Sequence, residues 1–344
     1  MRQGKLAIGV SLVALQGCIL NSQHEAVAAK STKEMTVVPT LRSDSTTNAR
    51  AEETVWTDPT NPKNTAVFTR GSRTVTLTGP ERRFADGETP SPVRHSIWVR
   101  LLPSPFEEKV DEKWTRAALE ANARQERDVL ATAMQYTDAQ AWQPKDIESK
   151  KFAGRAYYGP EKVDGRGRSV GSDVADYLGQ PMRLGTKEVK PRARRAGSLD
   201  CSGFVRMVYG FRGIPDGDGP HEKFPLIASG GDFVPGALPR RSDQLWEKGP
   251  GVVLVPYGKN PVAQLRDVDE KIRPGDILFF QARVDPKRII DHVAIYMGED
   301  EAGEARFISS RQSHDGPTLG DTKGASTLRP GGLYGDGFRS ARRF

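Results

Sequence analysis

Cys201 and His292 are the residues whose types and surroundings could support covalent chemistry. A thiol attacks a carbonyl only as thiolate, and two devices lower its pKa: a helix N-terminus and a neighbouring imidazolium. Cys201 directly follows Asp200, whose carboxylate suits the free N–H groups that open a helix. In the first turn of that predicted helix, backbone N–H groups can also hold the oxyanion of a tetrahedral intermediate. The bland alternative is that Cys201 is one more small apolar residue on a buried helical face. The cap, Gly203 two residues on, and the presence of only one other cysteine, Cys18, favour the chemical reading. A base must come from His24, His95, His221, His292 or His314. His24 lies in a polar N-terminal stretch, His95 in a β-rich segment, His221 in a polar loop beside Glu222 and Lys223, and His314 in a Ser/Gly-rich loop. His292 begins the run His292-Val293-Ala294-Ile295-Tyr296-Met297, and at a strand start its ring can point across the sheet end toward Cys201. Asp291 is not expected to orient it, because neighbouring strand residues face opposite sides.

The elements that must hold this pair follow from apolar spacing. Cys201, Phe204, Val205 and Val208 recur at three, four and seven, the face of a helix. Gly210 and Gly213, with Pro215 beyond, are expected to end it. A loop from Asp216 to Gly236 follows, then a second helix from Ser242 through Trp246. After the turn Arg273-Pro274-Gly275-Asp276 come strands Ile277–Phe280, His292–Met297 and Arg306–Ser309, the last two joined as a hairpin through Gly298–Gly303. Helices first and then antiparallel strands imply an α+β fold, with helices packed on a central antiparallel sheet. Upstream, Ala66–Thr69, Thr74–Leu77 and Ser96–Leu101 read as short strands of a small N-terminal β-rich segment. It either packs on the main body or binds a partner of its own, and packing is preferred. Helical spacing follows from Val110 to Met134. Asp138–Leu199 reads as loop, with Arg192, Arg194 and Arg195 as a solvated cluster.

The chain has 344 residues, 36% of them hydrophobic, and a net charge of +7. A mean hydropathy of −0.57 implies that part of it is unpacked. The positive charge favours an anionic neighbourhood. No nucleic-acid motif is present, and no cofactor and no metal site are expected. Arg2 and Lys5 precede an apolar run, Leu6–Leu15, too short to span a bilayer and suited to an export signal. Leu15-Gln16-Gly17-Cys18 then resembles a lipoprotein processing site that would lipidate Cys18, with Gln16 a departure. Cleavage after Ala26-Val27-Ala28 is the rival. Residues 19–60 lack either apolar period and read as a flexible tether.

Asp200-Cys201-Ser202-Gly203-Phe204-Val205, Pro274-Gly275-Asp276-Ile277-Leu278-Phe279-Phe280 and Asp291-His292-Val293-Ala294-Ile295-Tyr296-Met297-Gly298 together resemble the NlpC-type family of papain-like cysteine peptidases, which cut bacterial wall peptides. Pro239-Arg240-Arg241-Ser242 looks like the segment before that family's second core helix, and Phe307-Ile308 like its last matching strand. The resemblance covers about residues 128–344. It implies a papain-like domain at 126–344, preceded by the signal and lipobox (1–18), the tether (19–60), and the β segment with its connecting helix (61–125). It also implies Cys201 as nucleophile, His292 as base, and peptidoglycan stem peptides as substrate, often at the γ-D-glutamyl–diaminopimelate bond. Asp200 and Ser202 inherit a role in binding the substrate's amine or shaping its pocket, and Tyr158 one in lining the site. The family's orienting polar residue falls on Ser309, where a His, Asn or Gln is usual, and Gln312 is an alternative.

Three functions remain open at this point. They are a wall-peptide hydrolase, exported and lipid-anchored in the cell envelope; an amidase or acyltransferase on the same fold; and a non-catalytic wall-binding lipoprotein with a decayed site, which Ser309 favours. Oligomeric state is not legible.

Overall fold

A computed structural model describes residues 51–141, 152–212, 222–265, 268–282 and 287–344. The export signal, Cys18 and its lipidation, the rival cleavage site and His24 lie outside the described residues, as do Gly213, Pro215 and His221.

The first four strands are β1 (Glu53–Asp58), β2 (Asn61–Thr69), β3 (Thr74–Phe84) and β4 (Val93–Leu101), antiparallel neighbours in chain order. β1, opening at Glu53, lies inside the span read as a tether to residue 60. Alternation divides the faces of this sheet. Ala66, Phe68, Val75 and Leu77 meet Ala118 and Leu119 of helix α1 (Glu112–Ala123), which Asp111 caps through the Trp114 N–H. Val93, Val99 and Leu101 turn instead into the main core, beside Phe204 and Ile295. The described chain from Ala49 onward is one compact unit, so a boundary at 125/126 does not separate two bodies. The β segment packs on the body, as preferred. Asp128 links the parts: it caps α2 (Val129–Met134), accepts the Val99 N–H at 2.8 Å and takes both Arg82 amino groups at 2.8 Å.

The stretch read as loop holds α3 (Val174–Leu178), strands β5 (Met182–Leu184) and β6 (Lys187–Val189) as a hairpin, and a 3-10 turn at Ala193–Arg195. Arg192 is not merely solvated, since it bonds the buried Asp176 at 2.5 Å. Helix α4 (Cys201–Arg206) continues as a π-helical turn to Phe211. Gly210 therefore does not end it; the Leu226 side chain occupies the space a Cβ there would need. Helix α5 (Ser242–Lys248), strand β7 (Val252–Val255) and the short helices α6 (Pro261–Leu265) and α7 (Val268–Lys271) follow.

The central sheet adds β8 (Ile277–Phe280), β9 (His292–Glu299), β10 (Ala305–Arg311), β11 (Gly316–Thr318) and, after helix α8 (Leu333–Gly337), β12 (Phe338–Arg343). Its order is β11-β10-β9-β8-β12-β7, antiparallel at every step. The expected α+β architecture and the β9–β10 hairpin are thus observed. Val293, Ile295 and Met297 face the core under α4, with Phe204, Val205 and Val208. Ala294 and Tyr296 face a second core with Phe280, Phe307, Tyr334 and Phe338.

β12 carries the chain end between β8 and β7 and ties it to the first strand. Arg343, almost fully buried, bonds both Asp276 oxygens at 2.8 Å and reaches Glu53 at 2.7 Å. The Phe344 carbonyl accepts the N–H groups of Arg73 and Thr74. Arg343→Ala leaves the Asp276 charge buried and unpaired, so urea unfolding is expected to show a loss of about 3–5 kcal/mol. Arg70→Ala, which breaks only surface ion pairs, should leave the midpoint unchanged.

Candidate active site

The site is built around the Asp200 carboxylate. Its Oδ1 accepts the Gly203 N–H at 2.8 Å, the Ser202 hydroxyl at 3.2 Å and an Arg240 amino group at 3.2 Å. Its Oδ2 accepts the Gly171 N–H at 2.6 Å and the other Arg240 amino group at 2.8 Å. Asp200 is therefore the helix cap expected from sequence, and it is also half of a buried ion pair. Gly203 is required for close approach: a Cβ there would collide with the Ser172 carbonyl in the segment crossing the helix start. Arg240 also donates to the Ser202 hydroxyl at 2.7 Å and the Ser172 carbonyl at 2.8 Å. Asp200 thus has no lone pair left for a substrate amine, whereas Ser202 keeps one acceptor position.

Cys201 is 5% exposed and opens on a cavity of about 510 Å³ that Gly171, Asp200, Ser202, Arg240 and Asp291 also line. The backbone N–H groups of Val293 and Ser202 point at its sulfur. Burial nonetheless pushes the thiol up to about 12, helped by the Asp200 charge and opposed by Arg240 and those two N–H groups. The Val293 contact brings the start of β9 against the sulfur. The rings do not complete the pair. His292 is 1% exposed, and neither ring nitrogen has a hydrogen-bond partner among the described residues. Burial pushes the imidazole down to about 3, the Arg311 charge adding to it and Asp200 opposing. Burial thus favours the neutral form of both groups, against the thiolate that a helix N-terminus favours. Strand alternation is the reason the imidazole is buried. The His292 side chain falls with Ala294 and Tyr296 toward the second core, and its ring lies between Phe280 (centroids 6.0 Å apart) and Tyr334 (5.2 Å).

Ser309 is fully buried, and its hydroxyl is unpartnered, so it does not orient the imidazole. Asp291 accepts the Ala282 N–H at 2.6 Å, in keeping with its expected exclusion from that role. Tyr158 is buried close enough to Cys201 and Asp200 for their charges to raise its phenol pKa, though burial raises it more. Its hydroxyl is buried without a hydrogen-bond partner among the described residues. His95 bonds the Met297 carbonyl at 2.8 Å, and His314 stands between Glu88 (3.1 Å) and Asp138 (3.5 Å). Glu88, Asp138 and His314 are the one group among the described residues whose ligand atoms lie close enough together to hold a metal ion. Sequence reasoning missed the roles of Arg240, Arg311 and Tyr334. Arg240 lay in a quoted motif, but nothing local pairs it with a residue forty positions earlier.

A thiol at a helix N-terminus, opening on a cavity beside a histidine at the start of a sheet strand, is the layout of a thiol-dependent hydrolase or acyltransferase. Residues 179–316 match the model of the NlpC/P60 family, whose members are typically cysteine peptidases acting on the cell wall. That span holds Cys201, His292, Ser309, Asp200 and Ser202 and stops short of the 128–344 read from sequence; Tyr158 and Tyr334 fall outside it. No curated protein and no solved structure was found to match the chain.

Alkylation of Cys201 by iodoacetamide tests the neutral pair. With the thiol raised and the imidazole lowered, the thiolate fraction is expected to grow about tenfold per pH unit from about pH 5 to about pH 9, with no plateau. A plateau in that interval would reveal an ion pair in the free protein.

Proposed function

We propose that this protein is a cysteine endopeptidase of the bacterial cell wall, cleaving peptidoglycan stem peptides at bonds of the γ-D-glutamyl–diaminopimelate type. The observation that carries the reading is Cys201 at the start of α4, opening on the cavity with the first residues of β9 against its sulfur. The family match over residues 179–316 and the packing of α4 on an antiparallel sheet support a papain-like arrangement.

Because burial favours the neutral form of both groups, proton transfer accompanies attack in this mechanism. The Cys201 sulfur bonds the scissile carbonyl carbon as its proton passes to an imidazole nitrogen of His292. Backbone N–H groups at the start of α4 hold the oxyanion. The imidazolium then protonates the departing amine as the C–N bond breaks. Water, deprotonated by His292, releases the acyl group from sulfur. Asp200 acts by holding the helix start and Arg240, and Ser202 has one acceptor position for substrate. Tyr158 is buried near Cys201 and Asp200 and is not among the residues lining the cavity. Ser309 has no assigned step. Export and lipid anchoring through Cys18 belong to this proposal on sequence grounds, with the cell envelope as location.

The unbonded Ser309 hydroxyl and unbonded imidazole favour a second reading, a wall-binding protein with a decayed site. Digestion of purified peptidoglycan separates the two. The wild type is expected to release stem-peptide fragments, Cys201→Ala none, and His292→Ala to be slower by about 10²–10⁴-fold. Equal release by wild type and Cys201→Ala ends the peptidase reading.

A further inference from the structure

The catalytic reading of His292 leaves open what holds its ring. A base in a thiol-dependent site is ordinarily fixed by a hydrogen bond at its distal nitrogen. Here both ring nitrogens and the Ser309 hydroxyl are buried without a partner among the described residues. The ring instead lies against two aromatic rings in tilted contacts. Tyr334 lies against it at 5.2 Å between centroids and 36° between planes, and Phe280 at 6.0 Å and 46°.

Tyr334 is itself fixed. Its ring packs on Phe280 at 5.4 Å and Phe307 at 5.1 Å, and the Arg311 guanidinium lies 5.8 Å from its centroid. The backbone carrying it is pinned to the end of β8, where Gln281 donates to the Gly337 carbonyl at 2.8 Å. Arg311 in turn donates to the carbonyls of Gly320 and Gly324.

We infer that Tyr334 is the positioning residue of His292, setting the imidazole plane by aromatic stacking where a polar third residue would otherwise do so by hydrogen bonding. This rests on His292 being the base. Stacking restricts rotation of the ring about its long bond and leaves both nitrogens free, one of them for the thiol proton. A phenol face also attracts imidazolium more than an aliphatic side chain does, so the support strengthens as the proton arrives.

The test uses the full chain labelled with carbon-13 at histidine Cε1, with peptidoglycan stem peptide as substrate. The ring-current shift of the His292 signal is expected to persist in Tyr334→Phe and to shrink in Tyr334→Leu, where Phe280 alone remains beside the ring. The kcat of Tyr334→Leu should fall about 30-fold with KM changed less than about threefold, while Tyr334→Phe stays within about threefold of wild type. Ser309→His added to Tyr334→Leu should recover about tenfold in kcat by supplying a polar partner. Should the leucine variant fail to melt like wild type, Tyr334→Met removes the π face at similar volume. A His292 signal indifferent to Tyr334→Leu overturns the inference, as does full kcat in a folded leucine or methionine variant, or a phenylalanine variant as impaired as the leucine one. If the wild type cuts no peptide, the peptidase reading fails, and the histidine spectrum alone decides whether the stacking exists.

Discussion

The Asp200 carboxylate accepts five hydrogen bonds drawn from three stretches of chain: the start of α4, the segment before α3, and Arg240 ahead of α5. Moving such a charge out of water costs several kcal/mol, and only a saturated set of partners offsets it. The same network includes Arg206, fully buried and bonded twice to Asp173 at 3.0 Å. These bonds fix where the first turn of α4 begins, and hence where the Cys201 sulfur sits.

That anchoring has an electrostatic consequence. The carboxylate that caps the helix is also a negative charge beside the thiol, and it raises the thiol pKa in concert with burial. Arg240 and the N–H groups at the sulfur work against it without winning. On the other side of β9, the apolar walls around His292 exclude water and keep the imidazole neutral. Packing thus works against ionisation of both the thiol and the imidazole. It leaves the imidazole against aromatic rings rather than bonded to Ser309.

The amino-terminal sheet belongs to this construction. β4 lends Val99 and Leu101 to the core beneath α4, and Arg343 fastens β12 to β1 through Asp276 and Glu53. In the six-stranded sheet β12 lies between β8 and the edge strand β7, paired on both sides.

By itself the sequence determined the periodic elements: α4 from its apolar spacing, β8, β9 and β10 from their β-branched and aromatic runs, and the cap at Asp200. It also determined that Cys201 and His292 would open a helix and a strand. β12 was not legible, because Phe338-Arg339-Ser340-Ala341-Arg342-Arg343 holds three arginines and a single large apolar residue, and its strand form comes from neighbours on both edges. Nor was the state of the site. Whether Ser309 meets His292, whether Asp200 is free for a ligand, and whether the thiol ionises depend on which segments distant in sequence converge. Only tertiary structure decided these, because hydrogen-bond geometry and the loss of water around a charge are set by packing across the fold, whereas spacing along one element reports only that element's own faces.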